Sequence, residues 1–165
     1  MPIVSNTSPI LNLAIIGELS LLQEQFREIL IPEAVLAELR VGEELPGSHI
    51  VRGALKDGWI KIENVKETGI SKAMQRDLDK GESEAIALAI QVNADWILMD
   101  ERDGRKAARS VQLKTVGILG VLLKARREGS LESLSNAMNK LRKNAGFYIK
   151  TDLYNALLRE AGENK

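Results

Sequence analysis

The sequence predicts an α/β protein, a three-layer α/β/α arrangement in which helices cover both faces of a central parallel sheet. Two patterns and a length predict it. Short runs such as Ile29-Leu30-Ile31 and Trp96-Ile97-Leu98-Met99 are apolar throughout, as strands buried on both faces must be. Segments of helical length separate these runs, and strands that alternate with helices build parallel sheets. The 165 residues suit one domain with a sizeable core, here taken as 1–165 with the helices from about 130 packed on it.

The elements follow in order. Ile3-Val4-Ser5 reads as a buried strand. Ser8 suits an N-cap and Pro9 the first helical position, so a helix is predicted over 10–16, with Gly17 as its stop. A second helix covers 19–26. The strand 29–31 follows, and Pro32 opens a helix with Val35, Leu36 and Leu39 as its apolar stripe. Residues 42–47 read as a loop and 50–56 as a short helix. The alternation in 59–62 predicts an edge strand. Helices are expected over 71–79 and 82–92, the latter buried because 85–90 is apolar all round. The strand 96–99 ends abruptly at Asp100-Glu101. Then come a helix over 105–110, a short strand at 115–116, helices over 118–128 and 131–143, a short strand at 147–149 and a closing helix over 153–161.

Composition removes several classes of function. Lys plus Arg and Asp plus Glu are 23 each, so no general positive coat favours tight, non-specific DNA binding. The chain has no cysteine and one histidine, His49, which excludes thiolate metal sites and argues against histidine-rich ones. No apolar run approaches the ~20 residues of a membrane span, and the start lacks the pattern of a signal peptide. The expected location is the cytoplasm. The glycines form no phosphate-binding loop after the first strand.

In an open parallel sheet, ligands bind beyond the C-terminal ends of the strands. That rule directs attention to Asn6 and to the cluster Asp100, Glu101 and Asp103. Glu38 and the pair Glu82 and Glu84 are further acids beside apolar elements. A first-turn acid can simply favour the helix dipole, and Glu38 read alone is a surface residue. Converging carboxylates repel unless a cation neutralises them. Oxygen-only ligands suit Mg²⁺ or Mn²⁺, and such an ion can activate a water against a phosphate. Arg102, Arg105, Lys106 and Arg109 follow the cluster and can hold phosphates. Each also reads as part of a solvated helix face, and Lys124, Arg126 and Arg127 suit the end of a helix.

Four segments also resemble, in order, the motifs of PIN-domain proteins: Ile3-Val4-Ser5-Asn6-Thr7-Ser8-Pro9, residues 31–39 around Glu38, Gly81-Glu82-Ser83-Glu84 with the following Ala-Ile-Ala-Leu-Ala, and Leu98-Met99-Asp100-Glu101-Arg102. The nearest likeness is to prokaryotic relatives of VapC-type toxins that carry Asn-Thr-Ser-Pro near the start. The resemblance implies a Mg²⁺- or Mn²⁺-dependent ribonuclease, a homodimer, and a small antitoxin as partner. It implies metal ligands at Asn6, Glu38, Glu84 and Asp100, with Glu82, Glu101 and Asp103 as near alternatives. Thr7 and Ser8 match the hydroxyl residues after the first motif and, with Arg102, Arg105 and Lys106, would contact RNA. The family's usual Asp is Asn6 here. An amide oxygen can ligate a metal but brings no charge, so a fold that binds RNA or a partner protein without cutting is the alternative. The apolar faces predicted at 19–26 and 118–128 also point to a dimer.

Overall fold

A computed structural model describes residues 2–66 and 68–163; the outermost residues of the expected 1–165 span lie outside them. In chain order the elements are β1 (Ile3–Ser5), α1 (Thr7–Ile15), α2 (Ser20–Phe26), β2 (Ile29–Ile31), α3 (Glu33–Leu39), α4 (Ser48–Asp57) and β3 (Ile60–Ile62). They continue with α5 (Gly69–Met74), α6 (Lys80–Gln91), β4 (Trp96–Leu98), α7 (Arg102–Ser110), β5 (Lys114–Val116), α8 (Ile118–Arg127), α9 (Leu134–Asn144) and α10 (Thr151–Glu160). The sheet order is β3-β2-β1-β4-β5, and every neighbouring pair is parallel.

All five strands therefore end at one edge, where the helices that follow them begin. From β1 the chain moves outward to β2 and β3, then returns to lay β4 against the other side of β1. The seam between β1 and β4 is the point where strand order reverses, the place where such sheets bind ligands.

Alternation along the strands builds two cores. Ile3, Ile29, Ile31, Ile60 and Leu98 turn to one face, against α1 to α4 and α8 to α10. Val4, Ile97 and Met99 turn to the other, against α6 and α7. Helices on both faces make the three layers that the sequence predicts. No described helix is long and apolar enough to cross a membrane.

The structure corrects some boundaries. α1 starts at Thr7 with Asn6 as its N-cap residue, so Pro9 sits inside the first turn rather than opening the helix. α5 begins and ends before the expected 71–79. α6 starts two residues before Glu82, because Asp79 and Glu82 form a reciprocal capping box. α7 starts at Arg102, one turn early, and α9 begins at Leu134, later than expected. Residues 147–149 have no regular secondary structure and join no strand. The faces of α2 and α8 that pointed to a dimer pack against each other.

Candidate active site

Asn6 leaves β1 at the seam. Its backbone N–H donates to Leu98 O at 3.0 Å, continuing the ladder one residue past the strand and fixing where its side chain emerges. That side chain is buried, and Nδ2 donates to Glu101 Oε2 at 3.1 Å and approaches Met99 Sδ at 3.4 Å. Ser8, the second residue of α1, donates from Oγ to Glu101 Oε1 at 2.7 Å. Both oxygens of Glu101 are thus held from the β1 side.

Glu38 enters from the far end of α3. Its Oε1 accepts from Thr7 Oγ1 at 2.7 Å. The carboxylate can lie there because residue 81 is glycine: a Cβ on Gly81 would stand 2.6 Å from Glu38 Oε1. Glu82 comes next in the chain. Its backbone N–H donates to Asp79 Oδ1 at 2.8 Å, and its Oε1 accepts from the Asp79 N–H at 3.2 Å. A Cβ on Gly104 would lie 3.0 Å from Glu82 Oε2, so Glu82 reaches the start of α7 next to Glu101. Burial pushes the Glu82 carboxyl up to about 7; a backbone hydrogen bond from Asp79 opposes this, and the charges of Asp79 and Glu101 add to it.

The expected residues therefore divide. Asn6, Thr7, Ser8, Glu38, Glu82 and Glu101 gather at the C-terminal end of the β1–β4 seam. Of the two acids opening α6, Glu82 joins this cluster. Glu84 lies two residues, or about 200°, further around the helix, and its carboxylate stands 4.0 Å from Lys80 Nζ. Among the described residues it hydrogen-bonds to no member of the cluster.

Asp100 turns the other way, toward β5. Its Oδ1 accepts from the Ile118 N–H at 3.1 Å and caps the start of α8. Its Oδ2 is buried without a partner. Burial raises this carboxyl to about 6; the Ile118 N–H opposes the rise, Glu101 adds to it and Arg105 lowers it. Arg105 Nη1 donates to Met99 O at 3.1 Å. A Cβ on Gly117 would crowd both Asp100 Oδ1, at 2.6 Å, and Arg105 Nη1, at 2.8 Å. Asp103 and Lys106 line a separate depression with Asp77, while Arg102 is exposed beside Asp100.

Sequence reasoning missed Gly81, Gly104 and Asp79. The three-residue spacing from Asp79 to Glu82 is the signature of a capping box and would have placed Glu82. The two glycines matter through close approaches that only a tertiary fold creates.

An amide and three acids at the reversal point, fed by four separate elements, match the order of motifs read from the sequence. A family model described as a PIN domain matches residues 2–163. The chain belongs to the PIN-domain family. No curated protein and no solved structure matches it.

PIN domains generally depend on a divalent metal. The chemistry of this PIN domain's donors fits one. Glu38, Glu82, Glu101 and Asn6 offer only oxygens, which suit Mg²⁺ or Mn²⁺. Asn6 Oδ1 is buried and unpartnered, and Glu82 holds a proton near neutrality that a cation would displace. Their present arrangement is less complete. Among the described residues no three acidic or histidine side chains stand close enough to hold a metal ion. Thr7, Ser8 and the Asn6 amide take up the carboxylates' charge instead.

Proposed function

We propose that this PIN domain is a phosphodiesterase that hydrolyses RNA with Mg²⁺ or Mn²⁺ at the β1–β4 seam. The observation that carries the reading is the convergence of Asn6, Glu38, Glu82 and Glu101 at the C-terminal end of that seam. Glu38, Glu82 and Glu101 would hold the ion, with Asn6 Oδ1 as a neutral ligand, after their side chains turn closer together than they stand here. When bound, the ion supplies a water of lowered pKa and neutralises charge on the phosphate.

The chain's own groups would do the rest. Ser8 and Thr7 orient the Glu101 and Glu38 carboxylates through their hydroxyls. Burial of Asn6 and Glu82 lowers the local dielectric, which strengthens each charge interaction in the cleft.

The decisive experiment is cleavage of end-labelled single-stranded RNA in Mn²⁺ against an EDTA control. Glu101→Gln should lower the rate by on the order of 10²-fold, the scale of losing several kcal/mol of charge stabilisation. If the wild type leaves RNA intact at high enzyme excess, catalysis is wrong for this chain.

A second reading has its own observation. The Asn6 amide already donates to Glu101, so the site holds together without a cation, as a module that binds RNA or a protein without cutting would. Wild type that binds RNA in EDTA and never cuts it in Mn²⁺ selects that reading. A small antitoxin as partner and a homodimer are part of the toxin-like reading and rest on the resemblance; a cytoplasmic setting is proposed with them. A small reading frame overlapping the upstream end of the gene would support the antitoxin, and light scattering tests the dimer.

A further inference from the structure

On the far side of Asp100 from the acid cluster, a groove of about 570 Å³ runs along the open edge of β5. One wall is α7. Its Arg102, Arg105 and Arg109 follow the spacing of a single helix face, and all three line the groove. Arg102 and Arg109 are exposed, and among the described residues neither has an acidic partner within ion-pair distance. Arg105 is tied to Met99 O.

The opposite wall is the segment between α9 and α10, which carries Phe147 and Tyr148. This segment is pinned. The Phe147 N–H donates to Leu141 O at 3.0 Å, Arg142 Nη2 donates to Ile149 O at 2.8 Å, and the Ile149 side chain is buried. With Ile149 turned inward, the neighbouring Tyr148 is turned out and is 80% exposed. A large aromatic face held in water on a fixed backbone is a ready surface for another flat group.

We propose that this groove binds a segment of single-stranded RNA, its phosphates on Arg102 and Arg109 and a base stacked on Tyr148. Guanidinium groups suit phosphate, and a basic groove with aromatic faces is the general design for a single strand. The helical rise puts Arg102 and Arg109 roughly 10 Å apart along α7, so the stripe follows a backbone rather than a lone anion. Asp100 and Arg102, which line the groove, flank Glu101 in the chain. A duplex keeps its bases stacked inside and offers Tyr148 no face. The inference rests on the proposed function only for naming the polymer.

The test is binding rather than cleavage: fluorescence anisotropy of a labelled short oligouridylate in EDTA, where a missing catalytic activity has no bearing. Wild type should bind in the micromolar range, more tightly than it binds a duplex of similar length. Tyr148→Ala should weaken binding about tenfold, within the range for one stacked base. Arg109→Ala should weaken it and reduce the steepness of its salt dependence by about 0.7 in log–log slope. Arg127→Ala, at an exposed arginine outside the groove, should change little. All three side chains are exposed, so folding should survive each change. Wild type that fails to bind would overturn the proposal and leave the groove to a peptide strand added along β5. Binding that ignores Tyr148→Ala and Arg109→Ala would overturn it too, even if the protein cuts RNA.

Discussion

Asn6 Nδ2 donates to Glu101 Oε2 at 3.1 Å, and Asn6 Oδ1 is buried with no partner. An aspartate here would face Glu101 with a carboxylate oxygen in place of the N–H, and Glu101 lies close enough for its charge to be felt by Glu82. Like charges at this range need a cation or a proton between them. Asn6→Asp should therefore destabilise the metal-free protein. Loss of one hydrogen bond to a charged group is worth about 2 kcal/mol, or roughly 4–8 °C in Tm for a chain of this size. Mn²⁺ should more than restore it. At a hundredfold excess over Kd the ion adds about 2.7 kcal/mol, and the variant should gain more from it than wild type does. Thermal melts of both proteins in EDTA and in Mn²⁺ check this. Equal melts in EDTA would mean that residue 6 does not share Glu101's field, and the metal role assigned to it would go.

The start of α6 shows how one helix serves the site twice. The Asp79–Glu82 capping box fixes its first turn, and Gly81 leaves room for the Glu38 carboxylate. In Gly81→Ala the new Cβ would meet only the flexible end of Glu38, which can swing away, while alanine favours a helix by about 1 kcal/mol over glycine. Stability should stay level or rise slightly, yet Mn²⁺ affinity, read by calorimetry, and RNA cleavage should both fall because Glu38 leaves Thr7. Loss of function with gain of stability separates a positioning role from a folding one. The same element shows what sequence could tell. The strands were legible because their apolar runs are short and unbroken, and the sheet edge that carries the site follows from their parallel order. Glu84 drew attention by preceding the apolar run 85–89, but burial along a helix does not say which side an acid faces; the cap at Asp79 does. Asp100 drew attention by ending a strand, and it serves α8 while Glu101 turns to Asn6. Two successive residues at a strand end point to opposite sides, and only the neighbours decide which side holds the cluster. Residues 147–149 have strand-like composition, but the structure gives them no strand partner.

Across the whole molecule, buried and clasped carboxyls pull stability in opposite directions with pH. Glu163, past the end of α10, accepts from the Leu134 N–H at 2.6 Å, the Ser135 N–H at 3.2 Å and Arg126 Nε at 2.8 Å. Desolvation favours its protonated form, but these donors outweigh it and hold the carboxyl below its ordinary value. A depressed pKa contributes stability above the unfolded value that is lost as pH falls through the folded one. Glu163→Ala should cost about 2 kcal/mol at neutral pH and flatten the acid limb. Glu82 and Asp100 act in the reverse sense. Their folded values are raised from 4.5 to about 7 and from 3.8 to about 6. Their contribution is complete below the unfolded values and is lost as pH climbs through the folded ones. In EDTA, Tm should therefore already be declining at pH 5 and fall further toward pH 7 and above, its maximum lying on the acid side of the usual optimum. Glu82→Gln keeps an oxygen to accept from the Asp79 N–H and carries no charge, so it should melt higher than wild type at pH 8 and lose much of the alkaline decline. Mn²⁺ should lift the wild-type alkaline limb, because the ion takes the place of the proton on Glu82, and should lift Glu82→Gln much less. A melting curve that is flat from pH 5 to 8 in EDTA would show that Glu82 is ionised throughout. The cleft would then lack the enclosed acid from which its affinity for a cation is argued.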